Sequence, residues 1–261
     1  MGKALSLEWF KLRRRLATWG IYLIFLTLSI FLFGSFFYSA RGHGGPYWGL
    51  PEALPDILTV GSPIASIFTA VLAALVVSSD FEWKTSRQNV MDGLSRSSWF
   101  VAKLLLLLAM CLAMYGTQLV LGGTLAFIDT HSAHRVVSSY QLSAYLTASF
   151  GVLLAMCCYS AIAMLISIAV RSSGPAIGLT LIYGVLDNIV ARTLQGFHLD
   201  AVAAWLPFQV HTALLDFQQY LPHTTSASSY HWNTSTLLLA GLSWTVAIAV
   251  TAHRVYFKRD L

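Results

Sequence analysis

Six long apolar segments alternate with short polar segments along the chain. They lie near residues 19–38, 57–79, 101–128, 141–170, 176–194 and 235–256. A helix needs about 20 apolar residues to cross a bilayer, and each segment is close to that length or longer. Their continuous hydrophobicity favours helices over the short alternating strands of a barrel. The pattern predicts an all-α integral membrane protein with six transmembrane helices in a single domain, residues 1–261.

Residues 1–18 precede the first apolar segment and are predicted to form a helix of a different kind. Leu5, Trp9, Leu12 and Leu16 recur at helical spacing and form one apolar stripe. The rest of the surface is polar and strongly basic, with Glu8, Lys11, Arg13, Arg14 and Arg15. We therefore expect an amphipathic helix that lies in the membrane interface, with its basic face toward anionic headgroups.

A short helix is also expected between the fifth and sixth spans. Apolar Val210 and Leu214 recur there at helical spacing, and His211 falls among the polar residues on the opposite side. Pro207 and Pro222 bracket the segment, because proline interrupts a helix interior. We expect this helix to lie on the extracytoplasmic surface before the last span.

The placement of charge predicts the orientation of the chain. Only 10% of the residues are charged, whereas soluble domains carry about 25%, so lipid must cover much of the surface. With the N-terminus inside, all but three of the 16 Lys and Arg residues fall on the cytoplasmic side. Excess Lys and Arg mark cytoplasmic loops. The sequence thus predicts a multi-pass protein of the bacterial cytoplasmic membrane with both termini in the cytoplasm, and no nucleic-acid partner.

No motif for catalysis or for nucleotide binding is present. The only Gly-Lys pair, Gly2-Lys3, has no glycine-rich loop before it, so the chain lacks a phosphate-binding loop. Neither a Gly-x-Ser-x-Gly nor a His-Glu-x-x-His sequence occurs. We therefore expect a protein that is not an enzyme and holds no cofactor, with any ATP and Mg²⁺ bound by a partner.

Histidine is unusual in its distribution. Seven of the eight histidines fall on the predicted outer side: His43, His131, His134, His198, His211, His223 and His231. A solvated loop explains them most simply. Metal or cofactor handling at this face remains the alternative, because His131 and His134 could share a metal on one helical turn.

A few residues of the spans are candidates for a substrate path. Asp187, Asn188 and Arg192 lie in the outer half of the fifth span, where they either line a path or reach the headgroups. Pro63 lacks an N–H and is expected to kink the second span. The spans carry few polar groups, so we expect an apolar path between two copies of the chain. Its walls would come from the second and fifth spans, at Pro63, Ile67, Ile182, Asp187, Asn188 and Arg192.

Three segments together resemble the type-2 ATP-binding-cassette (ABC) exporter permeases, in their bacterial antibiotic- and bacteriocin-related branch. The first is Glu8-Trp9-Phe10-Lys11-Leu12 before the first span. The second runs from Glu82 to Lys103, and the third is Arg171-Ser172-Ser173-Gly174-Pro175, followed by Asp187. Span order also matches over essentially the whole chain.

The resemblance implies two permease subunits, identical or related, that pair with two cytoplasmic ATPase subunits. It further implies that nucleotide-driven closure is transmitted through nine residues: Glu8, Lys11, Glu82, Thr85, Arg87, Asp92, Arg96, Arg171 and Ser172. Members of this family export lipophilic peptides, drugs or lipid-like molecules, or confer immunity by expelling them. The alternative from another class is an ATP-independent membrane transporter or a scaffold.

The charge asymmetry yields a labelling test. In a chain freed of its three native cysteines, a membrane-impermeant thiol reagent should label His131→Cys and His223→Cys in intact cells. It should not label Gln88→Cys until the cells are opened. Labelling of Gln88→Cys in intact cells would reverse the predicted orientation.

Overall fold

The computed structural model describes residues 2–42, 50, 53–83, 95–130, 139–220 and 232–258. Its helices are α1 (Gly2–Arg14), α2 (Leu16–Gly42), α3 (Ala53–Glu82), α4 (Arg96–Thr130), α5 (Ser139–Val170), α6 (Ser173–Gly196), α7 (Asp200–Ala204), α8 (Pro207–Leu215) and α9 (Thr234–Lys258). A 3₁₀ turn covers Phe217–Tyr220. No strand occurs in these ranges.

Six of these helices, α2 to α6 and α9, are long and apolar enough to cross a membrane. The prediction of an all-helical chain with six such helices is therefore confirmed, and it is the organisation of a multi-pass membrane protein. Most of these helices start before the predicted spans; α4, for example, begins at Arg96 rather than near 101. Orientation across the membrane and the interfacial position of α1 stay predictions.

Helices α3 and α5 form the centre of the bundle and are the most buried of the six. Small residues of α3, including Ala65, Ala70 and Ala74, are fully buried. Small side chains let two helices approach closely, which is how helices associate where water supplies no hydrophobic drive. Helix α5 also packs against α8 and α9, so it holds both halves of the chain together.

The second span contains a π-helical turn, Ile57–Gly61, that leads directly into Pro63. Proline at this position removes the N–H that a regular helix would donate four residues back. Gly61 is needed beside it, since a Cβ there would lie 2.8 Å from Phe33 Cζ and 2.9 Å from Gln118 Oε1. This one-turn π-bulge lies just before Pro63 and is a feature frequent at functional sites, whereas the kink expected at Pro63 stays a prediction.

The inward face of α1 differs from the predicted apolar stripe. Glu8 and Leu12 are buried, whereas Trp9 and Leu16 are exposed. The assignment of Glu8 to an outward polar face was wrong, because its carboxylate is neutralised by a lysine of α4. Long-range pairing of this kind leaves no trace in the spacing of apolar residues.

Helix α8 differs from the expected surface helix in the same way. It ends at Leu215, well before Pro222, and Val210, His211 and Leu214 are buried. The placement of His211 among outward polar residues was therefore wrong. The helix packs against α5, α9 and α6, and His211 also contacts Ser66 of α3.

Candidate functional site

A buried ion cluster occupies the end of the bundle where α3 finishes and α4 begins. Lys103 of α4 is fully buried, and its Nζ lies 2.7 Å from Oδ2 of Asp80, which is also fully buried. The same ammonium group forms an ion pair with the Glu8 carboxylate of α1. One lysine therefore joins two carboxylates that come from two different helices.

Two further cations complete the ion cluster. Lys11 Nζ lies 3.1 Å from Glu8 Oε1, and Arg15 Nη2 lies 3.1 Å from Asp80 Oδ1. Arg15 also donates to Ser79 Oγ. Trp99 Nε1, at 3.3 Å, faces Asp80 Oδ2. Each carboxylate therefore has at least two cationic neighbours, which offset the cost of burying its charge.

The local sequence explains how these side chains converge. Arg15 lies at the break between α1 and α2, so its side chain turns back to the last full turn of α3. Lys103 lies two turns into α4, the helix that follows α3 in the chain. Asp80 and Lys103 thus lie at the same depth in the bundle, near the ends of two neighbouring spans. The cluster fixes α1, α3 and α4 against one another.

A second contact at this end joins α3 to α6. Oε1 of Glu82 accepts a hydrogen bond from the backbone N–H of Ser173 at 2.7 Å and one from Ser172 Oγ at 3.1 Å. Ser173 Oγ donates to Glu82 Oε2 at 2.8 Å. A carboxylate at a helix N-terminus satisfies free N–H groups and complements the helix dipole. Beside it Arg171 has φ 61°, and its Cζ is 5.9 Å from the Phe81 ring centroid.

The nine residues that the resemblance assigns to coupling are therefore partly brought together. Glu8 and Lys11 belong to the ion cluster, and Glu82 contacts Ser172. Arg96 lies apart from them, with Nη1 3.4 Å from the carbonyl oxygen of Phe257 in α9. Thr85, Arg87 and Asp92 lie outside the described residues.

A cavity of about 200 Å³ lies toward the other end of α3. Its walls are Thr59, Pro63, Ile67, Tyr159, Phe208, His211, Thr212, Leu215 and Asp216. Pro63 and Ile67 are 17 and 13 residues before Asp80, which places them about 20–25 Å from the ion cluster along the helix. The cavity and the charged end are thus separated by most of a membrane thickness.

His211 is the polar centre of this cavity. Its Nε2 lies 2.7 Å from Ser66 Oγ, and its ring is stacked on Phe208 and lies against Tyr159. Among the described residues Nδ1 has no hydrogen-bond partner. Burial lowers the pKa of His211 to about 4, so the ring is neutral at physiological pH. A buried ring nitrogen without a partner is available to a bound molecule.

The polar residues predicted in the fifth span position α8 instead of lining this cavity. The Asp187 carboxylate is buried beside the first amides of α8, and Asn188 Oδ1 accepts from Gln209 Nε2 at 3.0 Å. Ile182 and Arg192 are exposed on α6. Of the six predicted path residues, only Pro63 and Ile67 line the cavity.

Sequence reasoning missed the residues that matter most at each end. Asp80 was not recognised as the partner of Lys103, although the two opposite charges sit at the ends of consecutive spans. The pairing of His211 with Ser66 gave no signal in the sequence, because the two residues are 145 positions apart. In the described part of the chain no group of three or more His, Cys, Asp or Glu side chains could hold a metal ion. His131 and His134 lie outside that part.

Removal of the central cation should unfold the charged end. Lys103→Met leaves Glu8 and Asp80 buried beside each other, and breaking a buried pair in this way costs about 3–5 kcal/mol. Thermal unfolding in detergent should show a strongly lowered Tm. Lys258→Met, which removes the same charge from an exposed position in α9, is the control and should be neutral. Equal Tm values for the two variants would contradict a structural role for the cluster.

The neutral state of His211 predicts acid sensitivity. Its pKa falls from 6.5 to about 4 on folding, so the unfolded chain binds the extra proton first as pH drops. The free energy of unfolding should therefore fall by up to about 1.4 kcal/mol per pH unit between these two values, and stay constant above them. His211→Phe should remove this contribution, which is measured as the difference between the two pH profiles. Parallel profiles would show that His211 is not buried as a neutral ring.

Comparison with known proteins places the chain in a family. No curated protein matches it. A family model described as a protein of unknown function, DUF2705, matches residues 50–261, which include α3 to α9 with Asp80, Lys103 and His211. Because the match covers most of the sequence, the chain belongs to the DUF2705 family.

Proposed function

We propose that this chain is the membrane-spanning permease subunit of an ATP-driven exporter. It would act with a second permease copy and a separate cytoplasmic ATPase that binds ATP and Mg²⁺. The observation that carries the proposal is the concentration of interhelical charge at one end. There Glu8, Asp80 and Lys103 fix α1 to two spans, and Glu82 holds the start of a third.

This arrangement suits a subunit that is moved by a partner. A force applied to α1 reaches α3 and α4 through buried ion pairs, which are costly to break one partner at a time. A force applied beyond Glu82 reaches α6 through a charge-assisted contact at its first turn. The same end carries the sequence segments that resemble those of ABC exporter permeases. These are the properties expected of a surface that receives nucleotide-driven motion.

The cavity at the other end supports an amphipathic or lipophilic substrate. Its apolar walls include Pro63, Ile67 and Phe208, and its buried histidine is uncharged. A hydrophilic anion would lose its hydration there without gaining a cationic partner, because the lining holds no Lys or Arg and His211 is neutral. A molecule with a large apolar surface and a single hydrogen-bonding group fits these walls better. The π-bulge beside Pro63 gives α3 a place to bend as the cavity opens.

A transport assay with a carboxylate variant tests the coupling. The chain is purified in mild detergent with the ATPase that co-elutes, and both are placed in lipid vesicles. Glu82→Gln keeps the size of the side chain but weakens its hold on the first turn of α6. Substrate transported per ATP hydrolysed should fall by roughly an order of magnitude, while the ATPase stays bound.

Asp200→Asn is the matched control, since it makes the same chemical change at an exposed position in α7. It should leave the ratio of transport to hydrolysis unchanged. Transport in vesicles that lack every ATPase would contradict the proposal and favour an ATP-independent transporter. If no ATPase co-elutes and no substrate moves, a scaffold becomes the better explanation.

A further inference from the structure

A second and larger cavity lies at the charged end of the molecule, between α1, α2, α3 and α4. Its volume is about 410 Å³, within the range of roughly 300–1,000 Å³ that is typical of ligand pockets. The inner walls are apolar and include Leu12, Leu72, Met110, Ala113 and Met114. None of these residues belongs to the ion cluster or to the cavity at His211.

The cavity extends from the ion cluster toward the middle of the membrane. Leu72 is eight residues before Asp80, and Met114 is eleven residues after Lys103. At 1.5 Å per residue the inner wall lies about 12–16 Å from the ion cluster along the helices. This depth corresponds to the acyl region of one leaflet, because half of the hydrocarbon core is about 15 Å thick.

Two polar side chains at the mouth of the cavity, Arg13 and Thr18, have no ionic or hydrogen-bond partner in the described part of the chain. Arg13 lines it and, in the described part of the chain, forms no ion pair. Thr18 Oγ1 is buried in the wall and has no hydrogen-bond partner there. Trp19 Nε1 donates to the carbonyl oxygen of Arg13 at 2.8 Å, which holds the two sides of the mouth together. Trp9 and Trp19 are exposed at the rim, where tryptophan favours the headgroup level.

We propose that this cavity holds an acyl chain of an anionic phospholipid, whose phosphate pairs with Arg13 and whose ester carbonyl accepts a hydrogen bond from Thr18. The order of groups from rim to interior, a cation, a hydroxyl and then apolar side chains, matches the order of groups along such a lipid. An arginine at the rim favours an anionic headgroup over a zwitterionic one. The lipid would fill the gap that α1 leaves between itself and the spans.

Lipid retained by the purified protein provides the test. The chain is reconstituted in vesicles of phosphatidylcholine with phosphatidylglycerol, extracted in mild detergent and analysed for bound lipid by mass spectrometry. The wild type should retain phosphatidylglycerol in stoichiometric amount. Arg13→Gln should weaken that retention roughly fivefold, because one basic side chain near a headgroup contributes about that factor. Retention of phosphatidylcholine should not change.

Matched variants separate this site from ordinary boundary lipid. Arg14→Gln removes the same charge from a residue that stacks on Phe10 and does not line the cavity, so it should behave as the wild type. Ala113→Leu should fill the cavity and release the lipid, whereas Ala247→Leu, at an exposed position in α9, should not.

Three results would overturn the proposal: no lipid retained by the wild type, equal losses in Arg13→Gln and Arg14→Gln, or retention without preference for the anionic headgroup. The measurement needs no ATPase and no transport substrate. Its outcome is therefore independent of the proposed export function. If Ala113→Leu does not fold, the two arginine variants still decide the question.

Discussion

Five charged side chains meet at one end of the helices, and the rest of the architecture follows from the need to neutralise them there. Removing an ion from water costs several kcal/mol even after relaxation, so Lys103 and Asp80 are tolerable only within ion-pair distance of each other and of further partners. Glu8 and Arg15 supply those partners from the segment before and at the start of the first span. The requirement therefore fixes where α1 lies, where the chain breaks between α1 and α2, and how α3 meets α4.

The two ends of the bundle are held together by different kinds of polar interaction. At the charged end, full ionic groups lock helices through ion pairs whose members are 23 to 95 residues apart in sequence. At the other end, the buried polar group that contacts α3 is a neutral histidine with a single hydrogen bond to Ser66. Neutral hydrogen bonds contribute about 0.5–1.5 kcal/mol net, less than the 1.5–3 kcal/mol of bonds to charged groups. The ionic contacts at the charged end are consequently harder to break than the contact of His211 with Ser66.

Sequence alone predicted the six membrane helices, because their hydrophobicity is a local property repeated over 20 or more residues. The family resemblance grouped Glu82 with Ser172, and these two residues contact each other in the structure. Sequence reasoning failed where burial depends on a distant partner. Periodicity placed Glu8 and His211 on polar faces, yet both residues are buried. Glu8 pairs with Lys103 of α4, and His211 contacts Ser66 of α3. No local pattern of apolar residues encodes such pairs, so only the fold itself reveals them.

Three contacts link α3, α6 and α8 to one another, and their relative strengths indicate which contact breaks first. Glu82 connects α3 to the start of α6, Asn188 connects the other end of α6 to α8, and His211 connects α8 back to α3 at Ser66. A tilt of α6 relative to α3 must break at least one of them. The Glu82 contact is charge-assisted and multiple, whereas the bond of His211 to Ser66 is single and neutral. In the proposed exporter, motion delivered at the charged end would therefore be released at the cavity of His211, next to the π-bulge where α3 already departs from regular helix.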